Sequence, residues 1–323
     1  MSHPAPRQVE RELIPVIDIG PLRDGSDPVG VARQLHRASR EVGFIYVSNH
    51  GIPEEAIEAA RSTAMEFFRK SFDDKNRVAV SGAHRGFLSV GGAKMQDDAK
   101  ADLKESFIWG YENAEGVTPD DHSLRGANRW PGFMPRMQAV SMEYFNRVHE
   151  VAHHLMRGFA LGLDLPEDTF LKTNDAPLSR ASYVYYPPQE NGNSGQFGVG
   201  PHTDFGVLTV LCQDSVGGLQ VETLDGEWVA APPVPGTLVV NVGDLLARWT
   251  NGEYRSTPHR VINTSGKERL SLVLAYDPEP RTMIDPRDIF GSDCAIKEEP
   301  ISCGDYLQWR FAKAFSYRSD DGK

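Results

Sequence analysis

Three cysteines in 323 residues, Cys212, Cys294 and Cys303, are odd in number and scattered, which excludes a disulfide framework and a paired-cysteine zinc site. No stretch approaches the roughly 20 consecutive apolar residues that span a bilayer. The opening residues, Met1 to Glu12, lack the apolar core of a secretion signal. Basic residues are also in short supply: 34 Lys and Arg stand against 45 Asp and Glu, a formal net charge of -11, with no basic run. That balance repels polyphosphate backbones and anionic lipid. The expected partner is therefore a small molecule rather than nucleic acid or membrane, and the expected compartment is the reducing cytoplasm. Internal repeats and low-complexity tracts are missing, and Gly91-Gly92 and Gly217-Gly218 lack the strand-to-helix context of a phosphate loop.

The chain does carry clear periodicity. Leu13 to Ile19 reads as a strand, and Asp27-Pro28 as a helix cap and first turn ahead of Val31, Leu35, Ala38 and Val42. Gly43 to Val47 reads as a buried strand and Glu54 to Lys70 as an amphipathic helix. Val80 to Asn128 is rich in glycine and charge and reads as irregular, with a strand around Phe107 to Trp109. Met137, Val140, Tyr144, Val148, Val151, Leu155 and Phe159 mark one face of a long helix. From Ala181 onward short apolar runs separated by Gly, Pro and Asn predict strands at Ala181 to Tyr186, Val207 to Cys212, Gly218 to Thr223, Glu227 to Ala230, Thr237 to Val242, His259 to Ile262 and Arg269 to Tyr276. This pattern predicts a mainly β fold with flanking helices: a double-stranded β-helix, or jelly-roll, core behind an N-terminal α/β region. One integrated domain over 1–323 is expected, with the α/β region over 1–176, the core over 177–282 and a C-terminal segment and helix over 283–323.

Gly-Pro-His-Thr-Asp-Phe-Gly places His202 and Asp204 two residues apart. On a strand both side chains would project from one face, and His259, in Ser-Thr-Pro-His-Arg-Val, would complete a triangle from another strand. Two imidazoles and one carboxylate on one face of a metal leave the opposite positions open, the arrangement of non-haem Fe(II) oxygenases. Arg269 and Ser271 repeat the alternate spacing and form a candidate dicarboxylate clamp, since a guanidinium binds a carboxylate through two parallel hydrogen bonds.

With these residues in place, the chain resembles the iron(II)- and 2-oxoglutarate-dependent dioxygenase superfamily, in its isopenicillin N synthase-like branch. The resemblance rests on Ile14-Pro15-Val16-Ile17-Asp18, on Gly43 to Pro53, on Lys104-Glu105-Ser106-Phe107 and on Trp130-Pro131. It continues through Asn241-Val242-Gly243-Asp244 and Arg248 to Gly252 into Ser256 to Val261. It implies iron ligation by His202, Asp204 and His259, and binding of the distal 2-oxoglutarate carboxylate by Arg269 and Ser271. Tyr186, in Tyr-Tyr-Pro-Pro, matches a family tyrosine that contacts the same cosubstrate. Where many relatives have Asn two residues earlier, this chain has Val184, so one polar contact is missing.

The implied reaction is decarboxylation of 2-oxoglutarate by O2 to succinate and CO2, coupled to oxidation of a C–H bond, with hydroxylation as the default and desaturation or ring closure as variants. An oxidase of the same branch that dispenses with 2-oxoglutarate is one alternative; a catalytically silent metabolite-binding protein is another. Arg85, Phe87, Phe107, Phe205 and Lys313 are candidates for facing the substrate, with Arg85 or Lys313 suited to an acidic or amino-acid-like one. His149 and His153 have i, i+4 spacing but read as a helix face, and Cys212 as a buried small residue.

Overall fold

Asp27 and Pro28 start the first long helix as expected. The Asp27 carboxylate accepts from the Gly30 amide at 2.9 Å, and Pro28 occupies the first turn, where its missing N–H costs nothing. The helix Pro28–Glu41 buries Val31, Ala32, Leu35 and Ala38. It lies against the 26-residue helix Met137–Gly162, which approaches closely at Gly158: a Cβ there would stand 2.6 Å from Leu35 Cδ1. Two further helices, Glu54–Phe68 and the short Phe72–Asn76 capped by Ser71, complete the layer. This is a computed structural model that describes residues 13–92, 102–119, 121–189 and 196–315. Expectations for 1–12 and 316–323, at the two ends of the chain, and for 93–101 and 120 lie outside the described residues.

In chain order the strands of the two main sheets are β1 (Val16–Asp18), β2 (Phe44–Ser48), β3 (Gly86–Leu88), β4 (Glu105–Gly110), β5 (Arg180–Tyr186) and β6 (Val199–His202). They continue with β7 (Leu208–Gln213), β8 (Leu219–Glu222), β9 (Trp228–Ala230), β10 (Thr237–Val242), β11 (His259–Val261) and β12 (Arg269–Tyr276). The major sheet has eight strands in the order β1-β2-β10-β7-β12-β5-β4-β3, and the minor sheet four, β6-β11-β8-β9. The architecture is a double-stranded β-helix with flanking helices. β1 and β2 pair in parallel and β2 runs antiparallel to β10, so the N-terminal region extends the core sheet along one edge while β3 and β4 extend the other.

Several elements depart from expectation, three of them near the site or its walls. Within Val80 to Asn128 the described residues form two strands rather than one. β3 is only three residues long and glycine-flanked, too short for alternation to show, and forms by pairing with β4. The helix Phe72–Asn76 spans just over one turn, too short for its period to register. β6 reads Val-Gly-Pro-His, and its Gly and Pro conceal a strand; as an edge strand it tolerates a proline without an N–H.

Behind the major sheet the core is aromatic: Phe107 stands 4.9 Å from Phe67 and 5.7 Å from Trp130, and Trp109 4.5 Å from Tyr183, by ring centroids. Phe87 and Phe107 are both buried in it. The long helix sets His149 and His153 at its edge. His149 stacks on Phe145, meets Tyr276 at 4.9 Å and pairs with Ser179 Oγ at 3.1 Å, while His153 contacts Asn174. Burial, and then His153, push the His149 imidazole down to about 3, so it stays neutral in the fold. An unfolded chain protonates this residue near pH 6.5, so stability is complete above that value and is lost as pH falls toward 3. We expect His149→Gln to flatten the fall in urea-unfolding stability between pH 7 and pH 5, by at most about 1.4 kcal/mol per pH unit; an unchanged slope would contradict the assignment.

Candidate active site

The two sheets face each other across a cavity of about 220 Å³. Alternation builds its walls. From β5 the residues Arg180, Ser182, Val184 and Tyr186 face inward, and from β12 Arg269, Ser271, Val273 and Ala275.

His202 and His259 are register partners across β6 and β11, with ring centroids 4.3 Å apart. Each Nε2 lies 3.7 Å from Asp204 Oδ1, and the three ligand atoms sit within 4.8 Å of one another. Both rings are oriented from behind, His202 Nδ1 against the Gly200 carbonyl at 2.8 Å and His259 Nδ1 against the Thr257 carbonyl at 3.2 Å. Those contacts make Nδ1 the protonated nitrogen and leave each Nε2 lone pair for a metal. Asp204 Oδ2 accepts from Asn241 Nδ2 at 2.7 Å. Burial raises the Asp204 carboxyl, but His259 and His202, with donors on Asn241 and Thr209, outweigh it and hold the group ionised below its usual range. Burial and then His259 hold the His202 imidazole well below its usual range, hence neutral. A neutral imidazole on His202 and an ionised carboxylate on Asp204 are states that suit a divalent metal.

Strand alternation does not place Asp204, contrary to expectation. β6 ends at His202, and Asp204 lies beyond it in a loop. That loop is fixed by the helix Asp244–Trp249: the Asp204 carbonyl accepts from the Asp244 amide at 2.7 Å, and the Gly206 carbonyl from the Leu245 amide at 3.0 Å. Gly243 makes room, since a Cβ on it would stand 2.1 Å from the Gly206 carbonyl oxygen and 3.2 Å from that of Asp204. The Asp244 side chain binds Ser256 Oγ, Tyr306 Oη and Arg310, an organising role rather than an acid-base one.

At the other end of the cavity, Arg269 is 1% exposed and pairs in register with Tyr186, whose ring lies 4.6 Å from the guanidinium. Its Nε donates to the Gly217 carbonyl at 2.5 Å. Its two terminal nitrogens and Ser271 Oγ are buried and have no hydrogen-bond partner among the described residues. Buried donors left unmet are costly, which points to an acceptor-bearing ligand. Val184 faces the cavity between Tyr186 and Ser182, and its register partner Ser106 adds a hydroxyl beside it.

Comparison with known proteins agrees with this geometry. The pattern of the 2OG-Fe(II) oxygenase superfamily matches residues 177–278, and that of the non-haem dioxygenase N-terminal region, described from morphine synthesis, residues 14–132. A homoarginine-6-hydroxylase of Glycine max is 35% identical over 295 residues, covering 85% of this chain and 88% of its own. The chain belongs to the 2OG-Fe(II) oxygenase superfamily. A 2-oxoglutarate-Fe(II) type oxidoreductase of Metarhizium rileyi is 32% identical, covering 96% of this oxygenase and 89% of its own length. A full-length Neurospora crassa protein, solved with alpha-KG and thymine, superimposes with a TM-score of 0.83 at 28% identity, covering 93% of this chain and 97% of its own.

Of the five residues expected to face the oxygenase substrate, only Phe205 lines the cavity. Arg85 is 2% exposed, bonds the carbonyls of Ala83 and His84 and lies against Gly110, so it is a structural cation. Lys313 is exposed, its ammonium 4.0 Å from the Trp309 ring. Phe87 and Phe107 belong to the aromatic core. The residues that do face the cavity include His84, Lys104, Arg180, Phe311 and Phe315. His84 is held at φ +59°, with its ring centroid 4.6 Å from both Phe311 and Phe315. A left-handed backbone at a bulky residue stores strain that such packing must hold. Nothing local in the sequence marks these positions, apart from Arg180 heading the strand that ends in Tyr186.

Gly243→Ala tests how the loop that carries Asp204 is placed. We expect a loss of about 1–3 kcal/mol in unfolding free energy and Fe(II) binding weakened more than tenfold. Gly132→Ala, whose Cβ would meet nothing within 4 Å, should leave both unchanged.

Proposed function

We propose that this chain is an Fe(II)- and 2-oxoglutarate-dependent dioxygenase that oxidises a small organic metabolite, with hydroxylation as its default outcome. His202, Asp204 and His259 hold the iron. Two imidazoles and a carboxylate converging within 4.8 Å fit Fe(II), a borderline metal that takes nitrogen and oxygen ligands and keeps its remaining positions open. Arg269 and Ser271 take the distal carboxylate of 2-oxoglutarate, and Tyr186 packs beside them. The observation that carries this reading is the set of buried, unmet donors on Arg269 and Ser271, in one cavity with the His-Asp-His cluster. A bidentate arginine and a hydroxyl match a carboxylate in geometry and charge; an oxidase of the same branch also keeps such a pair, so it is the relatives that favour the cosubstrate-using mechanism. The names of the hydroxylase and oxidoreductase relatives support the same chemistry, and the thymine in the Neurospora crassa structure supports a small substrate.

The bound iron supplies O2 activation coupled to loss of CO2 from 2-oxoglutarate. The protein's own part is to fix the ligand triangle, keep Asp204 ionised through His259 and His202 with the donors on Asn241 and Thr209, orient both imidazoles through backbone carbonyls, and line the cavity largely with apolar residues. Three free cysteines and an acidic surface support a reducing, cytoplasmic setting.

Anaerobic titration with Fe(II) and 2-oxoglutarate should give a visible metal-to-ligand absorption band that Asp204→Ala abolishes. Arg269→Lys loses the planar fork and should raise the 2-oxoglutarate dissociation constant roughly 10- to 100-fold, and Ser271→Ala up to about tenfold, from the worth of charged and neutral hydrogen bonds. Substrate-triggered O2 uptake without succinate formation would overturn the proposal in favour of the oxidase.

A further inference from the structure

The charges around the cavity do not balance at random. Its described lining holds three cations, Lys104, Arg180 and Arg269, and one acid, Asp204. Asp204 belongs to the metal cluster. Lys104 is matched by the buried Asp102 at 3.6 Å, and Arg180 by the buried Asp277 at 3.0 Å. Arg269 has no acidic partner among the described residues, which is the place for a dianionic cosubstrate. A positively charged group entering this cavity therefore finds no free carboxylate among the described residues, and burying it unpaired is costly.

Arg180 stands where a second molecule would meet the metal end. It lies in one cross-strand row with Ala275, Thr209 and Asn241, the last two being the donors that hold Asp204. Tyr186 and the Arg269 clamp lie at the opposite end of β5, six residues away, or about 20 Å at 3.3 Å per residue. Of the five N–H groups on a guanidinium, Arg180 directs one to Asp277 at 3.0 Å and one to the Leu178 carbonyl at 3.4 Å. The others have no hydrogen-bonding partner among the described residues. Its guanidinium stands 4.8 Å from the Phe311 ring, Phe311 is 6.1 Å from Phe205, and His84 closes the same wall. Donors with a neutralised charge, set beside flat aromatic surfaces, suit an acceptor oxygen on a flat apolar body.

We propose that Arg180 is a substrate-binding residue, and that the oxidised molecule is a small, flat, largely apolar compound that presents a carboxylate or conjugated carbonyl oxygen to it and carries no positive charge. This assignment rests on the oxygenase reading for which molecule is oxidised, but not for what binds Arg180. At about 220 Å³ the cavity falls below the usual range of roughly 300–1,000 Å³ for ligand pockets, so both occupants are small.

The test is calorimetric titration of the full chain with phenylacetate, phenylacetamide and phenethylamine, anaerobically with Fe(II) and saturating 2-oxoglutarate, and again with neither. Phenylacetate and phenylacetamide should bind, with phenethylamine at least tenfold weaker. Arg180→Lys keeps the ion pair but loses the fork. The double variant Arg180→Met with Asp277→Asn removes both buried charges, which guards against an orphaned carboxylate. Both variants should keep wild-type circular dichroism, and the double variant should weaken phenylacetate at least tenfold, while Arg269→Lys leaves it within twofold. The proposal falls if phenethylamine binds best, if neither acceptor probe binds, if the folded double variant retains wild-type affinity, or if the loss follows Arg269 instead. Should 2-oxoglutarate fail to bind while phenylacetate still depends on Arg180, the oxygenase reading fails and the Arg180 assignment stands.

Discussion

The joint between the loop at Asp204–Gly206 and the start of the helix Asp244–Trp249 is the constraint on which the rest of the site depends. Two short backbone hydrogen bonds cross it, Gly243 brings the two segments closer than any side chain would allow, and Gly206 leaves room for the Asp277 carboxylate. Asp277 reinforces it from below: one carboxylate oxygen accepts from the Val207 amide and the other from Arg180. A fully buried carboxylate tolerates that position because both oxygens are met. The aim of Asp204 is thus a property of three segments far apart in sequence.

Cavity polarity follows the same logic. Two of the cavity cations, Lys104 and Arg180, are matched with buried acids, and each acid also bonds the backbone of a segment that carries a candidate metal ligand: Asp102 to the Gly200 amide ahead of His202, Asp277 to the Val207 amide after Asp204. Charge compensation and ligand placement are therefore done by the same atoms. Removing either acid would both orphan a cation and free a ligand loop, which makes these positions structurally dual.

Much of this was legible in the sequence because its signals are local. The Asp27-Pro28 cap, the long apolar stripe from Met137 to Phe159 and the alternation of Arg269 and Ser271 each rest on neighbours in sequence, and the elements they mark appear where expected. Spacing suggested the grouping of His202, Asp204 and His259, and the resemblance strengthened it. What failed was non-local. β3 exists by pairing with β4, β6 hides behind a glycine and a proline, and the loop carrying Asp204 is shaped by a helix that begins 40 residues later, at Asp244. Arg85 and Lys313 looked suited to a ligand by charge, yet one is locked under Gly110 and the other lies across Trp309. Only tertiary structure distinguishes such cations from Arg180.

One strand, β5, bears Tyr186 at one end and Arg180 at the other, with Val184 and Ser182 between them on the same face. Because it pairs with β4 on one side and β12 on the other along its whole length, it behaves as a rigid ruler. The Arg180 end and the end that meets Arg269 are thereby held six residues apart. If Arg180 meets the substrate as proposed, one tip of the ruler can change while the distance from it to the Arg269 end stays fixed by the strand.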